Sequence, residues 1–123
     1  MKGIFVNSPG CIPYAKAIAK SIKPVETRNK NMLAACVGER VAIIETRRNK
    51  NPRIIGHVNI VKAEKKSGKW LDNHRNLTLI PKGSQYDNNG HSKWCYFLEN
   101  ASECEPQPLP VNTIRHGRSW CEF

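Results

Sequence analysis

Residues 14–28, YAKAIAKSIKPVETR, carry the reading on which the fold turns. Pro13 stands just before them, and proline is favoured in the first turn of a helix. Tyr14, Ile18 and Ile22 recur at i, i+4 spacing while the lysines fall elsewhere, so the stretch predicts a helix with one apolar face. Pro24 ends it, because the residue before a proline avoids the helical region. Val25 to Arg28 then reads as a short strand. Lys23, Glu26 and Arg28 gather at this helix-to-strand junction. On an extended strand Glu26 and Arg28 point to the same side, since side chains repeat every second residue.

Outward from this junction the chain reads as strands and turns. Lys2 to Val6 is a first strand, followed by the turn cluster Asn7-Ser8-Pro9-Gly10. Val37-Gly38 is a turn before the buried strand Arg40 to Thr46. Arg47 to Arg53, RRNKNPR, is a basic hairpin loop. Ile54 to Val61 is the next strand, in which Gly56 marks a bulge or a close backbone approach. Glu64 to Gly68 reads as charged and solvated. Trp70 to Asn89 is irregular and polar, with room for a short helix and a lid-like loop. Lys93 to Leu98 is a strand, and Pro106 to Pro110 an extended surface segment. Ile114 to Phe123 ends in a last strand around Gly117-Arg118-Ser119-Trp120. The expectation is one α+β domain over residues 1–123, a small, mainly antiparallel barrel with one early helix.

The 123 residues include 20 Lys and Arg against 10 Asp and Glu, a formal net charge of +10. Such a surface attracts polyanions through phosphate contacts and counterion release. No apolar run approaches the length of a membrane span, no basic amphipathic helix suits a membrane surface, and the N-terminus does not read as a signal peptide. The cysteines, Cys11, Cys36, Cys95, Cys104 and Cys121, are odd in number and widely spaced, with no Cys-x-x-Cys pair. Free thiols in a reducing, cytoplasmic setting are the expectation. His91 and Cys95 are close in sequence but lack a second ligand pair, so neither a metal nor another cofactor is expected.

Four pieces of the sequence together resemble the ASCH domain, a relative of the PUA RNA-binding fold. They are Ser8-Pro9 before the helix; the segment Ser21 to Arg28, similar to the family's G-x-K-x-x-E-x-R; Gly38 to Ile43 followed by Ile54 to Val58, which resemble a G-x-x-V/I-x-I and an I-x-G-x-V strand; and Trp94 to Leu98 followed by a proline-rich stretch and Gly117 to Trp120. Two positions depart from the family pattern. Gly10 stands where a tryptophan is frequent, and Ser21 replaces the glycine that opens the K-x-x-E-x-R segment.

The resemblance implies a PUA-like barrel in which Lys23, Glu26 and Arg28 line a cleft between barrel and helix. Arg28 is suited to a phosphate or carboxylate, Glu26 to a base amino group or to holding Arg28, and Lys23 to a phosphate contact. A desolvated Lys23 would also serve as a base or nucleophile, with Glu26 as its catalytic partner. A purely structural Glu26–Arg28 pair is the plainer alternative. Further candidates for RNA contact are Arg47, Arg48, Lys50 and Arg53 in the basic loop, and Arg115, His116, Arg118 and Ser119 in the tail. Trp70 is a base-stacking candidate, whereas Trp94 and Trp120 read as core.

The leading expectation is an RNA- or nucleotide-binding domain. The runner-up is a hydrolase: a metal-independent ribonuclease on single-stranded RNA, or an amidohydrolase on an acylated cytidine. The resemblance brings both activities, although the acylated-cytidine enzymes have a threonine at the position of Glu26. A protein-interaction module is the third reading.

Overall fold

A computed structural model of the chain describes residues 1–8 and 12–123. The expected turn through Pro9 and Gly10, the tryptophan-to-glycine departure at Gly10, and Cys11 fall outside the described residues. The elements run β1 (Lys2–Asn7), α1 (Tyr14–Ala19), β2 (Val25–Arg28), a 3₁₀ turn (Ala34–Cys36), β3 (Arg40–Thr46), β4 (Arg53–Lys66), α2 (Gly68–Asn73), α3 (Arg75–Thr78), β5 (Lys93–Pro108), β6 (Ile114–His116) and β7 (Trp120–Glu122).

The strands form one seven-stranded sheet in the order β2-β5-β4-β3-β1-β7-β6. Among the described residues only β1 and β3 pair in parallel. The mainly antiparallel α+β expectation holds, but the sheet is open: no pairing joins the two edge strands β2 and β6 among the described residues. Where closure would bring β2 against β1, a side chain spans the gap instead. Arg28 Nη2 of β2 donates to the Phe5 carbonyl of β1 at 2.6 Å. That carbonyl is beyond the β1–β7 ladder, whose last pair is Ile4 with Trp120.

Several boundaries differ from the sequence reading. Residues 64–66 continue β4 rather than breaking it, because each pairs with β5. β5 runs on to Pro108, where beyond Leu98 it pairs only with β4. Pro106 and Pro108 stand where β5 has a single neighbouring strand, the kind of edge to which proline is confined. The last strand is a small hairpin, with Gly117 at φ 64° and Arg118–Ser119 forming its turn. The stretch after β4 holds two short helices, α2 and α3, rather than one.

Helix α1 packs its Tyr14, Ala15, Ile18 and Ala19 face onto the sheet beside Ile4, Ile43 and Val58. Gly56 allows this approach. A Cβ there would sit 2.2 Å from the Ser102 carbonyl oxygen and 3.2 Å from the Ala19 methyl. The register also shifts between Ile54 and Gly56, so both halves of the sequence expectation, bulge and close approach, are met.

The helix ends earlier than its apolar spacing predicts. Ser21 N–H donates to the Ile18 carbonyl at 3.0 Å and Ile22 N–H to the Ala17 carbonyl at 2.8 Å, the two bonds of a Schellman cap. Ser21 itself adopts φ 63°, a left-handed conformation that glycine adopts without steric cost. This reversal turns Ile22 out, 58% exposed, and Lys23 in, 1% exposed. Continued helix would have buried the isoleucine and exposed the lysine.

Two stability outcomes follow. Ser21→Gly is expected to raise unfolding free energy by roughly 0.5–1 kcal/mol, the left-handed strain of about 1–2 kcal/mol less the added flexibility of the unfolded chain. Gly56→Ala is expected to lower it by about 1–3 kcal/mol through overpacking against a backbone oxygen. Urea unfolding of both variants checks the signs.

Candidate functional site

The gap between β1 and β2 is a cavity of about 180 Å³. Phe5, Val6 and Asn7 form the β1 wall, and Glu26, Thr27 and Arg28 the β2 wall. Tyr14 and Lys23 close it from the α1 side. Ile80, Tyr86 and Lys93 come from the region after α3 and the start of β5. Asn29, Met32 and Arg118 complete the lining.

The charged groups are arranged around one carboxylate. Glu26 Oε2 accepts from Arg28 Nη2 at 3.2 Å, and Oε1 lies 3.6 Å from Lys23 Nζ. Oε1 also accepts from the Thr27 backbone N–H at 3.2 Å. Lys23 Nζ donates to the Thr78 carbonyl and sits 4.9 Å from the centre of the Tyr14 ring. Burial pulls the Lys23 ammonium below the ordinary lysine range, a pull that Glu26 only partly opposes. Burial pushes the Glu26 carboxyl up, but Lys23, Arg28 and the hydrogen bonds outweigh it. The group stays below the usual carboxylate range, hence ionised at neutral pH.

The aromatic side of the cavity is also built. Tyr14 and Tyr86 meet edge-on with ring centres 6.1 Å apart, and the Tyr86 hydroxyl accepts from Asn7 Nδ2 at 3.2 Å. Lys93 is buried and donates to the Tyr86 carbonyl; burial lowers its ammonium as well. Neither fully buried thiol nearby is set up as a nucleophile: burial pushes Cys36 and Cys95 up to about 11.

Of the residues singled out in the sequence, Lys23, Glu26, Arg28 and Arg118 meet at this cavity. Arg47 and Arg48 line a shallow cleft that shares Asn7 and Tyr86 with it. Arg53 is elsewhere, its Nε bonded to the buried Glu45 carboxylate at 2.9 Å. Arg115 lies 5.0 Å over the Phe5 ring, and the Ser119 hydroxyl donates to Met32 Sδ at 3.4 Å. Lys50 is exposed, and His116 stacks on Trp120 at 3.9 Å. Trp70 is packed between His74, stacked at 3.9 Å, and Lys66, 5.1 Å from its ring centre. It is away from the cavity. Trp94 and Trp120 pack against the core.

Sequence reasoning missed Lys93, Tyr86, Asn7 and Met32. Lys93 had a signal: it shares the period-2 parity of the buried Cys95. Tyr86 had none, because its stretch lacks periodicity. No group of three His, Cys, Asp or Glu side chains is placed to hold a metal among the described residues.

Three solved structures of one bacterial protein are similar in fold. A tyrosine-to-phenylalanine mutant of the ASCH protein from Zymomonas mobilis is 22% identical, with TM-score 0.67 over 89% of this chain and 77% of that one. A serine-to-alanine mutant of the same protein is 20% identical, with TM-score 0.72 over 96% and 85%. The structure described simply as ASCH from Zymomonas mobilis is 19% identical, with TM-score 0.66 over 87% and 73%. No protein-family model and no curated protein matches the chain. The fold is therefore ASCH-like, as the sequence resemblance implied.

The electrostatics give opposite signs for two neighbouring substitutions. Glu26→Gln leaves Lys23 and Arg28 without their shared anion and is expected to cost roughly 3 kcal/mol. Lys23→Met removes a buried cation while Arg28 and Thr27 still satisfy Glu26, and is expected to be neutral or stabilising. Because the folded state lowers the Glu26 carboxyl, its contribution is present above the unfolded value of about 4.3 and is lost as pH falls below that. Melting temperatures of wild type and Glu26→Gln should differ at neutral pH and converge in acid.

Proposed function

We propose that this protein is a nucleotide- or RNA-binding module whose ligand enters the cavity between β1 and β2. The observation that carries the reading is the convergence of Lys23, Glu26 and Arg28 on one concave site with Arg118 at its lining. An engineered cavity of about 150 Å³ holds one benzene, whereas whole drug-sized ligands occupy about 300–1,000 Å³. The cavity thus suits one base or one phosphate, with the rest of the ligand outside. The adjoining cleft with Arg47 and Arg48 gives a chain of nucleotides somewhere to continue. The net charge of +10 and the ASCH-like fold are consistent with this.

A second reading, hydrolysis of RNA or of an acylated cytidine, rests on the same lysine. Lys23 is held below its ordinary range by burial, with the Arg28 cation adding to the effect and Glu26 opposing it, and a desolvated lysine near a second cation is suited to act as base or nucleophile. We also propose a reducing, cytoplasmic setting, with which the unpaired Cys36, Cys95, Cys104 and Cys121 agree. Among the described residues no helix is long and apolar enough to cross a membrane.

Fluorescence anisotropy with labelled RNA oligonucleotides tests the proposal. Single-stranded RNA is expected to bind at low salt, more tightly than duplex, and to weaken steeply as salt rises. Lys23→Met is expected to lose about tenfold or more in affinity while remaining folded. Undetectable RNA and nucleotide binding at low salt would end the binding reading. Cleavage of the RNA, or release of cytidine from an acylated cytidine, by wild type but not by Lys23→Met would decide for the hydrolase.

A further inference from the structure

The cavity has a surplus of buried positive charge. Lys23, Arg28 and Lys93 all line it, and the lysines are nearly inaccessible to water. Among the described residues Glu26 is the one carboxylate in the lining. The next carboxylate, Asp87, is already engaged: it accepts from Gly83 and Asn88 N–H at 2.8 Å each and lies 3.0 Å from Arg75 Nη2. Lys93 therefore has only the Tyr86 carbonyl as a hydrogen-bond partner among the described residues. Each ammonium carries three donors. Lys23 uses one on Thr78 and faces Glu26 at 3.6 Å; Lys93 uses one on Tyr86.

Buried cations without an anion are costly unless they are neutralised. Burial lowers both lysines toward neutrality in the free protein, which agrees with that shortage. A neutral base or nucleoside would leave the imbalance in place. A tetrahedral oxyanion would remove it, accepting from the unspent donors of Lys23 and Lys93.

We propose that the cavity is an anion pocket that takes a terminal phosphate of the ligand, held between Lys23, Arg28 and Lys93, with sugar and base left outside. This rests on the nucleotide-binding reading and fixes which end of the ligand goes in. The phosphate belongs either to a free mononucleotide or to a phosphorylated RNA end. The aromatic edge of Tyr86 and the Arg47–Arg48 cleft are then on the path of the outer part.

Calorimetric titration separates the possibilities. The probes are the four ribonucleosides, their 5′- and 3′-monophosphates, and one oligouridylate with a 5′-phosphate, a 3′-phosphate or neither. At least one phosphorylated probe is expected to bind about tenfold or more tighter than its unphosphorylated counterpart. Preference among mononucleotides alone, or among oligouridylates alone, identifies the source of the phosphate. Lys93→Met and Lys93→Gln are both expected to collapse this ratio toward one, the glutamine variant guarding against a packing defect. Lys65→Met, which removes an exposed cation on β4, is expected to keep it. Equal binding of phosphorylated and unphosphorylated RNA would overturn the anion pocket and leave the RNA-binding reading intact. An undiminished ratio in a folded Lys93→Gln protein would also overturn it. No binding of any probe would overturn both readings.

Discussion

The guanidinium of Arg28 is the one group on which the shape of the site depends. It reaches from the edge strand β2 across to the Phe5 carbonyl of β1 and, on the same nitrogen, to Glu26. Charge-assisted hydrogen bonds of this kind are worth about 1.5–3 kcal/mol each. A backbone ladder between β2 and β1 would have closed the sheet and filled the gap with paired strands. One long side chain ties β2 to the far end of β1 at a single point instead, and the remaining space is the cavity. Glu26 is needed for this arrangement. Its carboxylate is the counter-charge that allows Arg28 and Lys23 to be buried together.

The second constraint is local backbone. Ser21 in a left-handed conformation reverses the chain and drives Lys23 inward. On the opposite side, Leu79 also has positive φ, 59°, directly after Thr78, whose carbonyl receives the Lys23 ammonium. A non-glycine residue in that region costs about 1–2 kcal/mol. Two such residues flank the same lysine, while Ile22 is exposed and Lys23 buried next to it. Both residues cap helices, Ser21 after α1 and Leu79 after α3, so the two caps together hold the Lys23 ammonium between Thr78 and Glu26.

Much of this was legible in residues 14–28. Although the helix stops at Ala19, ahead of the Pro24 break, its existence, the strand Val25–Arg28 and the shared side of Glu26 and Arg28 follow from spacing and backbone rules. So do the strand Arg40–Thr46 and the close approach at Gly56. The burial of Lys23 rather than Ile22 was not legible, because helical periodicity assumes the helix continues, and the cap that ends it has serine where glycine is usual. The open sheet was also hidden: strand count does not say whether the two edges meet. Tyr86 entered the site from a stretch with no pattern, and Trp70 left it because His74 and Lys66 cover its ring, contacts between residues four apart in sequence that a polar-stretch reading does not reveal. Arg53 read as a loop cation, yet the hairpin register sets it opposite Glu45 and ties it there.

The proposed entry point of the ligand is the gap where Arg28 bridges β2 and β1. Its most direct test is a map of amide and side-chain NMR shifts during titration with a short single-stranded RNA. The largest changes are expected on Lys23, Thr27, Arg28, Lys93 and Arg118, with the Arg28 side-chain Nε–H resonance among them. Changes centred instead on the exposed lysines of β4 and α2, Lys62, Lys65 and Lys69, with Arg28 Nε–H unmoved, would contradict it.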